Sequence, residues 1–211
     1  SEKQKIIIVA NAVDETFTVI DHGTGIAGTG KELEDLLMNY SAYIAKSHTP
    51  KGRSSFGRGM SDVLFRRKEY ENRLLAIKDG NWIAAKAKWS DKGPTFSNDT
   101  GITEKEVHSI INEHGTAVTF HWDSKIEPKD FPSKKAIIDS LTQYYELKTA
   151  LNDDEIDIVL VYLDGKESPQ PKKLEFVNHD KNAEELGTKT DIQLDVDPNY
   201  DIRIISAKVF R

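Results

Sequence analysis

The sequence predicts an α+β fold, a two-layer α/β sandwich in which a mostly antiparallel, mixed sheet carries helices on one face. Two observations support this prediction. Short β-branched segments are joined by tight turns, which is typical of hairpin-connected strands. Between these hairpins, apolar residues recur at the three- and four-residue spacing of amphipathic helices. About 37% of the residues are hydrophobic and 30% are charged, which suits a globular fold with a substantial core.

Two hairpins and two further strands make up the predicted sheet. The first hairpin pairs residues 5–10 with residues 16–20 across a turn at Asp14-Glu15. In the second hairpin, Asp79-Gly80 separates two apolar segments, and this dipeptide strongly favours a two-residue turn. The two strands of this second hairpin are predicted over residues 74–78 and 82–89. Two further strands are predicted over residues 116–122 and 156–163.

Four helices are predicted between or after these strands. Leucines and aromatic residues at helical spacing predict one helix over 31–46, and another begins near Gly59. Thr103 and Glu106 have the spacing of a capping box, which predicts a short helix ending near Gly115. Ser133 is positioned to cap a long helix that continues to Leu151.

The chain is expected to contain one domain, residues 1–164, followed by a second segment, residues 165–211. This second segment contains Pro169 and Pro171 in a polar stretch, and apolar residues alternate over 202–209. We interpret it as a linker that leads into the start of a following domain or a C-terminal extension.

Composition excludes several classes of protein. The chain has no cysteine, so neither disulfides nor thiolate metal sites can form. No apolar segment approaches the ~20 residues that span a bilayer, and no signal-peptide pattern is present, so we expect a cytoplasmic protein without a membrane partner. A net charge of -6 argues against a dominant nucleic-acid surface, although a local basic patch leaves that question open.

A glycine-rich loop follows the second strand and matches three nucleotide-binding motifs. Gly23, Gly25 and Gly28 satisfy G-x-G-x-x-G, the dinucleotide-binding pattern. Gly25, Gly30 and Lys31 satisfy most of a phosphate-binding P-loop. Asp21, Gly23 and Gly25 satisfy D-x-G-x-G, the adenine-binding motif of a further class of ATPase.

Two of these interpretations conflict with the neighbouring residues. A P-loop requires a Ser or Thr hydroxyl where Glu32 stands, and a carboxylate there would repel phosphate. A dinucleotide fold requires a second strand ending in an acid about 20 residues later, and residues 43–48 provide neither. The D-x-G-x-G interpretation predicts two later motifs, and both are present: a glycine lid F-G-x-G at Phe56–Gly59 and a Gly-Thr pair at Gly115-Thr116.

With these three motifs in this order, the sequence resembles the GHKL ATPase superfamily of gyrase B, heat-shock chaperones, histidine kinases and MutL. It is most similar to the chaperone and MORC-like branch, through the stretch 39–49, the strand pair around Trp82 and Trp89, and the segment 145–163. The resemblance covers residues 5–163 and implies the Bergerat ATP-binding fold. It also implies a chaperone-like or MORC-like module in which ATP closes a lid and drives formation of a homodimer.

The resemblance assigns roles to individual residues. Asp21 would accept a hydrogen bond from the adenine amino group, and the Thr116 hydroxyl would reach the base directly or through water. Gly23 and Gly25 would bring the backbone under the purine with positive φ, while His22 either lines the pocket or is solvated. Gly57 and Gly59 would present amides to the triphosphate, Lys46 and Arg58 would neutralise it, and Phe56 and Met60 would pack the lid. The full set of expected nucleotide-binding residues is Asp21, Gly23, Gly25, Ile26, Asn39, Lys46, Ser47, Phe56, Gly57, Arg58, Gly59, Met60 and Thr116.

The sequence departs from the family pattern at its catalytic motif. Family members carry an E-x-x-x-N helix about 30 residues before D-x-G-x-G, whose Glu activates water and whose Asn holds Mg²⁺. About 20 residues precede Asp21, and they are predicted strands; Asp35 and Asn39 mimic the spacing but follow the adenine motif. We therefore expect ATP and Mg²⁺ as cofactors but assign no catalytic or metal-binding residue, and hydrolysis by this chain is doubtful. The alternative is a degenerate fold that serves as a nucleotide-free scaffold.

Overall fold

The structure, a computed structural model, describes residues 3–26, 63–65, 69–91, 93–122, 130–144, 147–166, 168–177, 185–197 and 200–210, the last two ranges as backbone only. Its strands are β1 (Gln4–Asn11), β2 (Thr16–Asp21), β3 (Asn72–Lys78), β4 (Asn81–Ser90), β5 (Gly93–Asn98), β6 (Gly115–His121), β7 (Ile156–Leu163), β8 (Lys172–Lys173), β9 (Glu185–Asp197) and β10 (Tyr200–Phe210). Its helices are α1 (Glu104–Ile111), α2 (Lys134–Gln143) and α3 (Lys148–Leu151).

The first eight strands form one mixed sheet in the order β5-β4-β3-β6-β2-β1-β7-β8. All neighbours pair antiparallel except β1 and β7, which run parallel. The β3–β4 turn confirms the prediction from the Asp79-Gly80 dipeptide, since these residues have φ of 50° and 75°, as the favoured two-residue hairpin turn requires. The fold is therefore α+β, as predicted, and rich in strands.

Helix α1 covers one face of this sheet. Its buried residues Val107 and Ile111 belong to a core cluster that also contains Ile20 of β2, Ala117 of β6 and Leu75 of β3. Because side chains alternate across a strand, the residues next to these on each strand must point to the opposite face. We call the face under α1 the α1 face.

The opposite face carries a second core cluster. Leu74 and Ala76 of β3 and Ala85 of β4 pack there with Leu64, which is completely buried, and Val118 of β6 joins them. We call this side the Leu64 face. Described residues therefore pack against both faces of the sheet, and they do not confirm the expected arrangement with helices on one face only.

The predicted helix caps are confirmed, but one predicted helix is wrong. Thr103 and Glu106 form a reciprocal capping box at α1, and Ser133 accepts a hydrogen bond from the Ala136 amide at α2. The single helix expected up to Leu151 is instead two, because Tyr144 takes an extended backbone (φ -74°, ψ 111°). Tertiary packing overrides helical periodicity here, since helices in proteins owe most of their stability to packing. None of the described helices is long and apolar enough to cross a membrane.

Four strands were not predicted, namely β5, β8, β9 and β10. β8 pairs with β7 and extends the sheet beyond residue 164, where the predicted first domain ends. The chain divides into two compact units, residues 1–175 and 176–211. Within the second unit, β9 and β10 form an antiparallel hairpin, and the alternation over 202–209 lies on β10.

Candidate functional site

Asp21 and Thr116 lie directly opposite each other on neighbouring strands. They pair in the antiparallel ladder between β2 and β6, which places their Cβ atoms about 4.5–5.5 Å apart. Ile20 and Ala117, the preceding pair, point to the α1 face, so Asp21 and Thr116 share the Leu64 face. Thr116 is only 5% exposed and Asp21 is half-buried. The sheet thus brings together the two side chains that were expected to contact the base.

The Asp21 carboxylate is held by the loop that follows it. The backbone amide of Gly23 donates a hydrogen bond of 2.8 Å to Asp21 Oδ1. Among the described residues, no donor contacts the second oxygen, Oδ2, which is left to accept a hydrogen bond from a ligand. A carboxylate that is fixed through one oxygen loses less conformational freedom when its other oxygen binds a donor, and this favours such a contact.

Two glycines allow the loop to lie against the ends of β3 and β6. Gly25 has φ of 69°, and a Cβ added there would overlap the carbonyl oxygen of Ile77. Gly115 has φ of 139°, and a Cβ added there would overlap the carbonyl oxygen of Asp21. Both positions therefore require glycine for its conformation and for its lack of a side chain. The positive φ that was predicted for Gly25 is confirmed, and its approach to a purine stays a prediction.

Gly23 differs from the prediction. It is not among the residues with positive φ, so the expected left-handed conformation is wrong at this position. A Cβ on Gly23 would instead lie 2.8 Å from Asp21 Oδ1, the same distance as the hydrogen bond from its own amide. The residue is small because its backbone approaches the carboxylate.

Ile26 forms an apolar surface on the same side of the sheet. It is partly buried and packs against the cluster of Leu64, Leu74 and Ala76 on the Leu64 face. The half-buried carboxylate of Asp21 and the apolar side chain of Ile26 thus flank the segment 22–25. A polar anchor beside an apolar surface is the arrangement that binding sites for flat heterocycles use.

His22 lies on the other side of the sheet. Its Nδ1 atom is 3.2 Å from the carbonyl oxygen of Lys5, and it lines a pocket with Lys3 and Lys5. Lys5 alternates with Gln4 and Ile6 on β1, and it shares the face of Ile7, which packs against the α1-face cluster. His22 therefore does not share the face of the Asp21 side chain, where the purine was expected.

The remaining expected site residues lie outside the described part of the chain. So do the predicted helix over 31–46 and the start of the helix near Gly59. The expected site residues outside the described part are Asn39, Lys46, Ser47, Phe56, Gly57, Arg58, Gly59 and Met60.

A buried ion-pair network on the α1 face was not predicted from sequence. The Asp99 side chain is fully buried, its Oδ2 lies 2.6 Å from Arg73 Nε, and Lys86 Nζ lies 3.9 Å from its Oδ1. The Gly101 amide also donates to Oδ1 at 3.0 Å. Lys86 in turn contacts Glu71 at 2.8 Å, which raises the Lys86 pKa. Asp99 lies in the polar stretch from Ser97 to Gly101. A stretch of this composition is typical of a solvent-exposed turn.

Beside this network is a polar pocket of about 500 Å³, lined by residues that include Asp14, Thr119 and His121. The His121 ring stacks on Tyr70 with centroids 4.9 Å apart, and its Nδ1 is 3.3 Å from Asn72 Oδ1. Burial lowers the pKa of His121, against a smaller opposing effect of Asp14. A neutral imidazole is thus favoured at this position.

Comparison with known proteins does not assign the chain to a family. No model of a known protein family matches the sequence, and no curated protein matches it either. A functional assignment must therefore be argued from the residues of the site.

Proposed function

We propose that the chain is the ATP-binding module of a chaperone-like or MORC-like GHKL ATPase and that adenine binds between Asp21 and Thr116. The observation that carries the proposal is the pairing of these two residues on one face of the sheet. Two separate sequence motifs, D-x-G-x-G and Gly-Thr, meet at this pair. The close approach of Gly115 to the Asp21 carbonyl oxygen holds the two motifs together, and we propose that one ligand contacts both.

The chemistry of the pair suits an adenine base. The exocyclic amino group of adenine is a donor, and Asp21 Oδ2 is an ionisable acceptor without a described partner. A hydrogen bond to a charged acceptor contributes about 1.5–3 kcal/mol. The Thr116 hydroxyl can both donate and accept, so it can contact a ring nitrogen directly or through a water molecule. Ile26 provides an apolar surface for the ring.

The close packing of Gly25 and Gly115 supports the same proposal. Both glycines bring the segment 21–25 close to the ends of β3 and β6, which fixes the backbone that carries Asp21. The triphosphate would extend towards the predicted glycine lid at Gly57 and Gly59. Magnesium would bind with the phosphates of ATP, since Mg²⁺ is commonly held by few protein ligands and substrate phosphates. Among the described residues, no group of three His, Asp or Glu side chains could hold a metal ion.

The predicted two-layer sandwich, with a helical layer on one face of the sheet, is part of this proposal. In a Bergerat-type sandwich, the helical layer that covers the nucleotide lies on the face of the adenine-binding Asp. We propose that this layer is on the Leu64 face, where Leu64 packs beside Ile26. Helix α1 then covers the reverse side of the sheet.

Isothermal titration of the chain with adenosine and with ATP plus Mg²⁺ tests the proposal. We expect both ligands to bind, and Asp21→Asn to weaken both by about tenfold or more, because the amide is a weaker acceptor. Asp139→Asn is the matched control, since Asp139 lies on α2 and pairs with Lys135. This control should bind both ligands with unchanged affinity.

Three outcomes would decide against purine recognition by Asp21. One is the absence of binding by a folded chain, which would favour the nucleotide-free scaffold. The second is equal affinity in the chain and in Asp21→Asn. The third is equal weakening in Asp21→Asn and Asp139→Asn.

Lid closure and dimerisation are part of the proposal and need a separate measurement. A non-hydrolysable ATP analogue should shift the chain from monomer to dimer in sedimentation velocity, and Asp21→Asn should prevent this shift at the same concentration. A sedimentation coefficient unaffected by a saturating analogue would contradict nucleotide-driven dimerisation and leave purine binding intact.

A further inference from the structure

A second pocket lies on the α1 face, at the end of the sheet where Asp21 is found. Its volume is about 470 Å³, within the range of small-molecule sites. It is bounded by the start of β1, the end of β2 and the turn between α1 and β6. We call it the Lys5 pocket, and its lining residues are Lys3, Gln4, Lys5, His22, Asn112, Glu113 and His114.

The Lys5 pocket concentrates cationic and donor groups in an acidic protein. It contains two lysines and two histidines but only one acid, Glu113, whereas the whole chain has a net charge of -6. Lys3 directly precedes β1 and Lys5 is the second residue of that strand, and both line the pocket. The side-chain amide of Asn112 adds a neutral donor.

The nearest acid outside the lining is already compensated. Asp157 pairs with Lys5 in the β1–β7 register, but its Oδ1 lies 2.6 Å from Lys173 Nζ and 4.0 Å from Lys3 Nζ. The hydrogen bond from Lys173 is the main cause of the lowered Asp157 pKa, and Lys3 and Lys5 contribute less. Lys173 therefore neutralises Asp157 and leaves the positive charge of the pocket in excess.

Three other lysines of the sheet and of α2 are ion-paired, and Lys5 differs from these three. Lys86, Lys135 and Lys173 each form an ion pair with a neighbouring carboxylate. Within the ranges that the structure describes, no carboxylate lies within ion-pair distance of Lys5, and none pairs with His114. Asp157 compensates Lys3 only at 4.0 Å and Glu113 is the one acid in the lining, so a bound anion would balance the remaining positive charge.

The helix end at the pocket does not oppose an anion strongly. The C-terminus of α1 carries partial negative charge, but its last carbonyls are engaged. The Asn112 amide donates to the His108 carbonyl, and His108 Nδ1 contacts the Asn112 carbonyl at 2.7 Å. These contacts occupy two of the carbonyls at this end of α1.

We propose that the Lys5 pocket binds a small phosphate-bearing anion. A phosphate group offers three or more acceptor oxygens in a tetrahedral arrangement, which matches two ammonium groups, two imidazoles and an amide better than a planar carboxylate does. The cavity is larger than a phosphate ion, so it also accommodates a phosphate monoester. The proposal does not depend on the adenine site, because the Lys5 pocket lies on the opposite face from the Asp21 side chain.

Amide NMR spectra of the full 211-residue chain, titrated with inorganic phosphate at constant pH and ionic strength, test the proposal. We expect saturable shifts centred on Lys5, His22 and His114. Lys5→Gln should weaken phosphate binding about tenfold or more, since it removes a charged donor. Lys135→Gln is the matched control, because Lys135 is 85% exposed on α2, and it should leave the affinity unchanged.

A second ligand and a replacement variant complete the test of the Lys5 pocket. Glucose 6-phosphate should shift the same resonances if the pocket takes a monoester, while shifts with inorganic phosphate alone would assign it to the free ion. If Lys5→Gln does not fold, His114→Gln replaces it, with the same expected direction. The absence of saturable shifts at these residues, or equal weakening in the Lys5 and Lys135 variants, would overturn the proposal. Adenosine binding in Lys5→Gln reports on the adenine site alone, so the two proposals fail separately.

Discussion

Arg73 Nε lies 2.6 Å from Asp99 Oδ2, and the Asp99 side chain is completely buried while that of Arg73 is 44% exposed. A buried carboxylate is tolerated only when cations and hydrogen-bond donors compensate its lost hydration. Here Arg73, Lys86 and the Gly101 amide provide this compensation. The network connects β3 and β4 to the loop that leads into α1.

Asp99→Asn should destabilise the fold by about 1–3 kcal/mol, because it removes the charge that both cations face, and the partial exposure of Arg73 limits the loss. Chemical denaturation followed by circular dichroism measures the free energy of unfolding. Asp139→Asn, which breaks the exposed pair with Lys135, should cost less than about 1 kcal/mol. Equal losses in the two variants would contradict a structural role for the buried pair.

Gly25→Ala should destabilise the fold far more than Gly80→Ala. The two glycines have similar φ, 69° and 75°, so an alanine meets a similar conformational cost of about 1–2 kcal/mol at each. At Gly80 an added Cβ meets no atom within 4 Å, whereas at Gly25 it would overlap the Ile77 carbonyl. This overlap should add about 1–3 kcal/mol at Gly25.

The comparison of these two variants isolates the close approach. Free energies of unfolding from urea titrations provide the measurement, and Gly80→Ala serves as the control for backbone strain. Losses that agree within experimental error would mean that the segment around Gly25 does not lie against Ile77.

Stability should fall as pH decreases below the usual His121 pKa of 6.5. Burial lowers the pKa of His121 in the folded state, so the unfolded state binds the proton more tightly, and protonation favours unfolding. The contribution is fully present above pH 6.5 and is lost as pH falls through the folded-state pKa. In His121→Gln, the free energy of unfolding should change less over this window. Parallel pH profiles for the two proteins would contradict burial of a neutral imidazole.

The ion pair of Asp157 and Lys173 should stabilise the fold across a wide range of pH. The hydrogen bond between them lowers the Asp157 pKa from 3.8 and raises the Lys173 pKa from 10.5. The stabilisation by Asp157 is present above pH 3.8 and is lost as pH falls through its lowered pKa. The stabilisation by Lys173 is present below pH 10.5 and is lost as pH rises through the raised pKa of Lys173.

Comparison of the chain with Asp157→Asn measures this contribution. The difference in free energy of unfolding should be constant from about pH 5 to 9 and should shrink towards both extremes, as linkage requires. It should also decrease in high salt, since both side chains are partly exposed. A difference that does not vary with pH would mean that the pair is not charged in the folded state.

The sequence by itself determined the features that depend on neighbouring residues. The Asp79-Gly80 turn, the Thr103–Glu106 capping box and the Ser133 cap were predicted correctly, since each is stabilised by contacts within a few residues. The motifs at Asp21 and Gly115-Thr116 were visible for the same reason, although their function stays a proposal.

Only the tertiary structure decided which distant residues meet. The order β3-β6-β2-β1-β7 places Asp21 opposite Thr116, orients His22 to the other face, and buries Asp99 beside Arg73. In the folded chain the backbone is extended at Tyr144, in a segment whose periodicity predicts one continuous helix. These outcomes depend on strand pairing between distant segments, which local patterns do not specify, because each pairing is selected by the burial that the whole sheet achieves.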